Sequence, residues 1–253
     1  MPFPLKSYLL FKQQTQRAID FVVLGVYAVP TLRAQVKRGK KLPKPDDFPH
    51  DRSTAAVLVK HAADYRNNLS TYLWLSAFSF FEAFARGAID EMLDFHGGPD
   101  GFLKLAYKKG RSSLGTTSTS MAEHKRELQK WQKARNRERY RNHLRPLEAT
   151  AYRFPTELFA AYGVSTLIQF LKEKRFKASI IPDIYERAFL FALSPRQIAR
   201  FEEIRRTRND IAHGKSIALK LKDVIKAIDD LRDLALAINN HLSEHFFVIE
   251  ELR

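Results

Sequence analysis

The run Arg208-Asn209-Asp210-Ile211-Ala212-His213-Gly214 sets a guanidinium and an imidazole five residues apart at the end of a helical pattern. An imidazole gives or takes a proton near neutral pH, and a guanidinium is a permanent cation whose fork of donors suits phosphoryl oxygens. Together they could provide acid–base chemistry and charge stabilisation at a phosphodiester. Arg208 falls in the middle of the apolar stripe formed by Ile198, Phe201, Ile204, Ile211 and Ala212. A cation there needs a carboxylate, an interface or a function, because an unpaired buried charge is costly. His213 stands in the last turn, where the carbonyl end of a helix favours a cation. On an ideal helix the two side chains point about 140° apart. They converge on one phosphate only if the last turn is distorted or a second subunit supplies another pair.

Three further residues are candidates around this pair. Asn209 lies four residues before His213 on the same helix face, so it either orients the phosphate or the imidazole, or is a polar surface residue or local cap. Asp210 is a second supporting group. Glu82 sits among Phe78, Phe80, Phe81 and Phe84, where a carboxylate must find a donor or take up a proton. It pairs with Arg208 or Arg205, or else lies at the edge of the fold. A competing pattern is His241-Leu242-Ser243-Glu244-His245, the H-x-x-E-H arrangement of some zinc peptidases. Such a site needs a distant downstream acidic ligand, and only Glu250 and Glu251 follow. The expectation is therefore no metal and no cofactor.

These residues need helices to position them. Apolar residues recur at spacings of three and four almost throughout, without the alternation of strands, which reads as all-α. The predicted elements are a helix from Leu5 to Ala28 before Pro30, and a basic, Pro-containing loop from Arg33 to Pro49. From Ser53, a plausible N-cap, a long helix runs to Phe95, apolar on nearly every side around Leu73 to Phe84. Helices over Thr156 to Lys174, Pro182 to Leu193, Pro195 to His213 and Leu221 to Phe247 follow. The last carries a seam at Leu221, Val224, Ile228, Leu231, Ala235, Ile238 and Leu242. The architecture expected is an up-and-down helical bundle in one domain over 1–253, with an extra N-terminal helix and a basic helical insertion at about 104–150.

The insertion dominates the electrostatics. The chain has 253 residues, 45% of them hydrophobic, and 43 Lys and Arg against 28 Asp and Glu, a net charge of +15. Between Lys104 and Arg145 there are thirteen basic residues against three Glu, so this stretch supplies ten of those charges. Lys125, Arg126, Lys130, Lys133, Arg135, Arg137, Arg139 and Arg141, interleaved with Trp131 and Tyr140, are spaced to follow an RNA backbone and stack on bases. A solvated charged helix, or a surface for an acidic protein partner, fits the same residues. Without cysteine the chain has no disulfide, Cys-ligated zinc or thiol nucleophile, which suits a cytoplasmic location. The apolar run Phe21 to Val29 is short, so no membrane or export segment is expected. No glycine-rich phosphate loop is present.

The Arg208–His213 motif, an Arg followed by a polar residue and a His a few positions on, closely resembles the signature of the HEPN superfamily. The order of a long aromatic-rich helix, a motif helix and a final amphipathic helix is similar to the RiboL-PSP-HEPN branch and related bacterial defence proteins, over roughly Ser53 to Phe95 and Thr156 to Phe247. That resemblance implies a two-fold dimer sharing one cleft. It also implies metal-free RNA cleavage by 2′-hydroxyl attack, with His213 moving the proton and Arg208 stabilising the phosphate. A toxin or antiviral role, with any antitoxin on a separate chain, is implied too. The two alternatives are a non-catalytic RNA-binding or scaffold protein of the same shape, and the zinc peptidase.

Overall fold

A computed structural model describes residues 4–40, 55–102, 167, 170 and 177–247. Among them there are helices and no strand, so the chain is the all-α bundle that its apolar spacing predicts. The elements are α1 (Lys6–Lys37), α2 (Ala55–His61), α3 (Tyr65–Phe95), a 3-10 turn (Ala178–Ile180), α4 (Ile181–Arg187), α5 (Pro195–Ala212) and α6 (Leu221–His245).

α3 is the axis, packing against α1, α5 and α6. Its Phe78, Phe81 and Phe84 are buried because three apolar rows meet three neighbouring helices. Phe11 of α1 packs at 6.0 and 5.7 Å from the rings of Phe81 and Phe84. Phe201 of α5 lies 5.8 and 6.0 Å from Phe78 and Phe81. The α6 seam is buried from Val224 through Ile228, Leu231, Ala235 and Ile238 to Leu242, while Leu221 is half-buried. Burying one Phe or Leu side chain contributes about 1.5–3 kcal/mol, so this aromatic column is the main force holding the motif helix in place.

Several boundaries differ from the sequence expectation. α1 does not stop at Ala28 but continues through Pro30 to Lys37. Proline removes one backbone donor, and the hydroxyl of Thr31 donates to the Tyr27 carbonyl at 2.9 Å beside it. The N-terminus of α1 is capped from elsewhere in the fold. The Glu91 carboxylate accepts from the backbone N–H groups of Lys6 and Ser7, and Asn239 Oδ1 accepts from Leu5 N–H at 2.9 Å. α1 also contains an 18-residue window of mean hydropathy 1.3, so it is long and apolar enough to cross a membrane, although one face packs on the core. The expected helix from Ser53 is broken at 62–64 into α2 and α3, and Ser53 itself is outside the described residues. The helix expected over Pro182 to Leu193 ends at Arg187, because Leu190 takes a left-handed φ of 57°. Burial of the Leu190 side chain holds a conformation that a non-glycine residue otherwise avoids. The Thr156 to Lys174 helix and the basic residues from Lys125 to Arg141 are outside the described residues, Leu167 and Phe170 excepted.

Candidate functional site

α5 begins with a capping box. Ser194 Oγ accepts from Gln197 N–H at 3.2 Å, and the Gln197 side chain accepts from Ser194 N–H at 2.8 Å, with Pro195 pre-set for the first turn. Its rotation on α3 is fixed by the Phe201 contacts and by Trp74, whose indole N–H donates to the Ile204 carbonyl at 3.2 Å. Arg208 follows one turn later.

There the guanidinium meets Glu82: Nη2 lies 3.3 Å from Oε2, with side-chain exposures of 31% and 20%. The stripe position thus leaves Arg208 half-buried rather than enclosed. Its Cζ stands 5.9 Å from the Phe78 ring centroid, a cation over an aromatic face. Burial raises the Glu82 pKa, and Arg208 opposes that shift. Of the two partners foreseen for Glu82, Arg208 is the one it takes; Arg205 is paired with Glu202 at 2.6 Å.

Asn209 orients Arg208, not the imidazole: its Oδ1 accepts from Arg208 Nη1 at 3.2 Å. Its backbone carbonyl accepts from His213 N–H at 2.9 Å. His213 is the C-cap of α5 and is exposed, and its ring has no hydrogen-bond partner among the described residues. Gly214 follows at φ 79°, donating to the Ile211 carbonyl at 2.9 Å, and Lys215 donates to the Asp210 carbonyl at 3.0 Å. This is a Schellman stop. In place of the usual apolar contact across it, Lys215 Nζ bonds Asp210 Oδ1 at 2.7 Å. Asp210 therefore supports the helix end that presents His213.

Arg208 and His213 are not in contact within the chain: one is held on α3 and the other projects from the helix end, as their angular separation predicts. Sequence reasoning missed Trp74, Lys215 and Asn67. The Asn67 Oδ1 accepts from Leu219 N–H at 2.9 Å and ties the segment after His213 back to the start of α3. Lys215 was detectable as a cation beside Gly214 and five residues from Asp210; the other two act across more than 100 residues of sequence.

The H-x-x-E-H pattern serves packing. His241 Nε2–H donates to the Phe189 carbonyl at 2.7 Å, and its ring lies 4.8 Å from that of His245. Burial is the main cause that pushes the His241 pKa down to about 4. Glu244 is exposed, and among the described residues no group of three or more His, Asp or Glu is arranged to hold a metal.

A family model described as RiboL-PSP-HEPN matches residues 52–244, which takes in α2 through the Arg208–His213 motif and nearly all of α6. No curated protein and no solved structure matches the chain.

Proposed function

From the premise that the chain belongs to the RiboL-PSP-HEPN family of the HEPN superfamily, we propose that it is a metal-independent endoribonuclease. The observation that carries this reading is the accessible end of α5: an exposed His213, with no ring partner among the described residues, beyond an Arg208 oriented by Glu82 and Asn209. RNA supplies its own nucleophile, the 2′-hydroxyl. His213 takes the proton from that hydroxyl as the oxygen attacks the adjacent phosphorus. The P–O5′ bond breaks, the 5′ oxygen takes up the proton that His213 has accepted, and a 2′,3′-cyclic phosphate remains. Arg208 stabilises the charge that builds on the phosphoryl oxygens.

Because Arg208 and His213 diverge on one helix, the active cleft is formed by two copies related by a two-fold axis, each contributing to the other's phosphate site. The biological setting that fits the family is bacterial defence or a toxin restrained by a separate chain, acting in the cytoplasm. A second reading, a non-catalytic RNA-binding scaffold, is favoured by one feature: the Arg208 guanidinium is already engaged by Glu82 and Asn209.

The two readings separate on incubation of wild type, His213→Ala and Arg208→Ala with end-labelled single-stranded RNA and tRNA in excess EDTA. Cleavage by wild type alone, leaving cyclic phosphate ends, with both variants folded at wild-type melting temperature, supports the nuclease. RNA bound but uncut by all three supports the scaffold, and unimpaired cutting by Arg208→Ala overturns the site.

A further inference from the structure

α1 lies outside the stretch that the family model matches, and its outward face carries exposed apolar side chains. Leu9, Leu10, Phe21, Leu24 and Tyr27 are 49%, 51%, 67%, 68% and 74% exposed. They lie on the side of the helix opposite Phe11, Thr15 and Val22, which face the core. Apolar side chains exposed at this density mark a contact surface. Along the face Leu10, Gln13, Arg17, Asp20, Leu24 and Tyr27 recur at alternating spacings of three and four, the seam of a coiled coil.

We propose that this seam docks α1 of a second copy of the chain, antiparallel, about a two-fold axis passing between Ala18 and Ile19. In that register Leu10 faces Tyr27 of the partner subunit, Gln13 faces Leu24 of the partner subunit, and Arg17 faces Asp20 of the partner subunit. Symmetry makes each pair occur twice. Arg17 and Asp20 are exposed, and neither has an ion-pair partner among the described residues; Asp20 accepts only from Gln16, at 2.8 Å. Charged central layers, flanked by mixed Gln13–Leu24 layers and closed by apolar Leu10–Tyr27 layers, fix register and orientation. Parallel pairing would set Arg17 against Arg17 and Asp20 against Asp20, so charge selects the antiparallel arrangement. A groove of about 830 Å³, lined by Leu9, Leu10, Gln13, Gln16 and Arg232, runs beside the N-terminal half of the seam and receives Tyr27 of the partner subunit. Asp20, set beside Phe21 and Leu24, disfavours a lipid occupant, because its carboxylate would enter hydrocarbon with them.

The test is the mass of the full chain by light scattering over a concentration series, for wild type, Arg17→Asp, Asp20→Arg, the double swap and Tyr27→Glu. Self-association weakens at least about tenfold in each single variant, so the concentration at which the mass rises moves up by at least that factor, and the double swap restores it. All three sites are exposed, and unchanged circular dichroism confirms that the helix persists. Masses unmoved by the single variants overturn the proposal, as does a swap no better than either single reversal. A wild type whose mass the α1 variants leave unchanged, while those variants lose sedimentation with anionic phospholipid vesicles, overturns it in favour of a membrane surface. None of these readouts depends on RNA cleavage, so failure here is distinct from failure of the nuclease reading.

Discussion

A buried imidazole and an exposed one do different work in this fold. His213 projects exposed from a helix end, whereas burial holds His241 neutral and the Phe189 carbonyl that accepts from its ring only partly opposes this. The difference has a measurable consequence for stability. In the unfolded chain His241 titrates near its ordinary 6.5, but in the fold only at about 4. Between those values the unfolded state binds more protons, so stability rises with pH and is lost as pH falls from 6.5 towards 4. The expected contribution is on the order of a few kcal/mol. His241→Gln keeps a donor for the carbonyl and removes the proton, so its melting temperature should be flatter than wild type across that window. An equal acid slope in both proteins would assign the loss to other groups.

The elements that carry the site are set by short-range signals, and those were legible. Pro195 and Gly214 delimit α5 in the sequence as they do in the fold, and the α6 seam is buried from Val224 to Leu242 at the positions its spacing predicts. Gly214 shows the cost of changing such a signal. Its φ of 79° disfavours any side chain, yet an added Cβ meets nothing within 4 Å, so the penalty is conformational alone. Gly214→Ala should therefore lose about 1 kcal/mol of stability and shift the C-cap that presents His213, reducing RNA cleavage more than RNA binding; a variant with wild-type stability and cleavage would remove the Schellman stop from the account. What was not legible acts at long range or against propensity. Pro30 predicts a stop, but α1 runs through it, and its N-terminus is capped by Glu91 and Asn239 from distant helices. Asn209 has the spacing to reach His213, but the Arg208 guanidinium is nearer and charged, so the amide turns to it. Glu82 was legible as an anomaly, while the choice of Arg208 over Arg205 required the crossing of α3 and α5.

On the scale of the whole molecule, charge and catalysis are separated along the chain. The proposed cleavage pair sits on α5, which is capped and packed by the described helices, while ten of the fifteen net positive charges fall between Lys104 and Arg145. If that stretch holds RNA, its basic side chains displace counterions from phosphates, and affinity falls with salt in proportion to the number of contacts. For a single strand each contact contributes about 0.7 to the slope of log affinity against log salt. Replacing Lys125, Arg126, Lys130 and Lys133 together by Glu should then reduce the slope by up to about 3 and weaken binding across all sequences alike. The cleavage position in RNA driven to saturation should be unchanged, because Arg208 and His213 are untouched. Filter binding at several salt concentrations measures the slope, and product mapping at saturation measures the cut. A slope identical to wild type would move the RNA-binding surface to the remaining basic residues and assign the 104–145 charge to an acidic protein partner. A changed cut site at saturation would mean that this segment positions the scissile phosphate as well as attracting the strand.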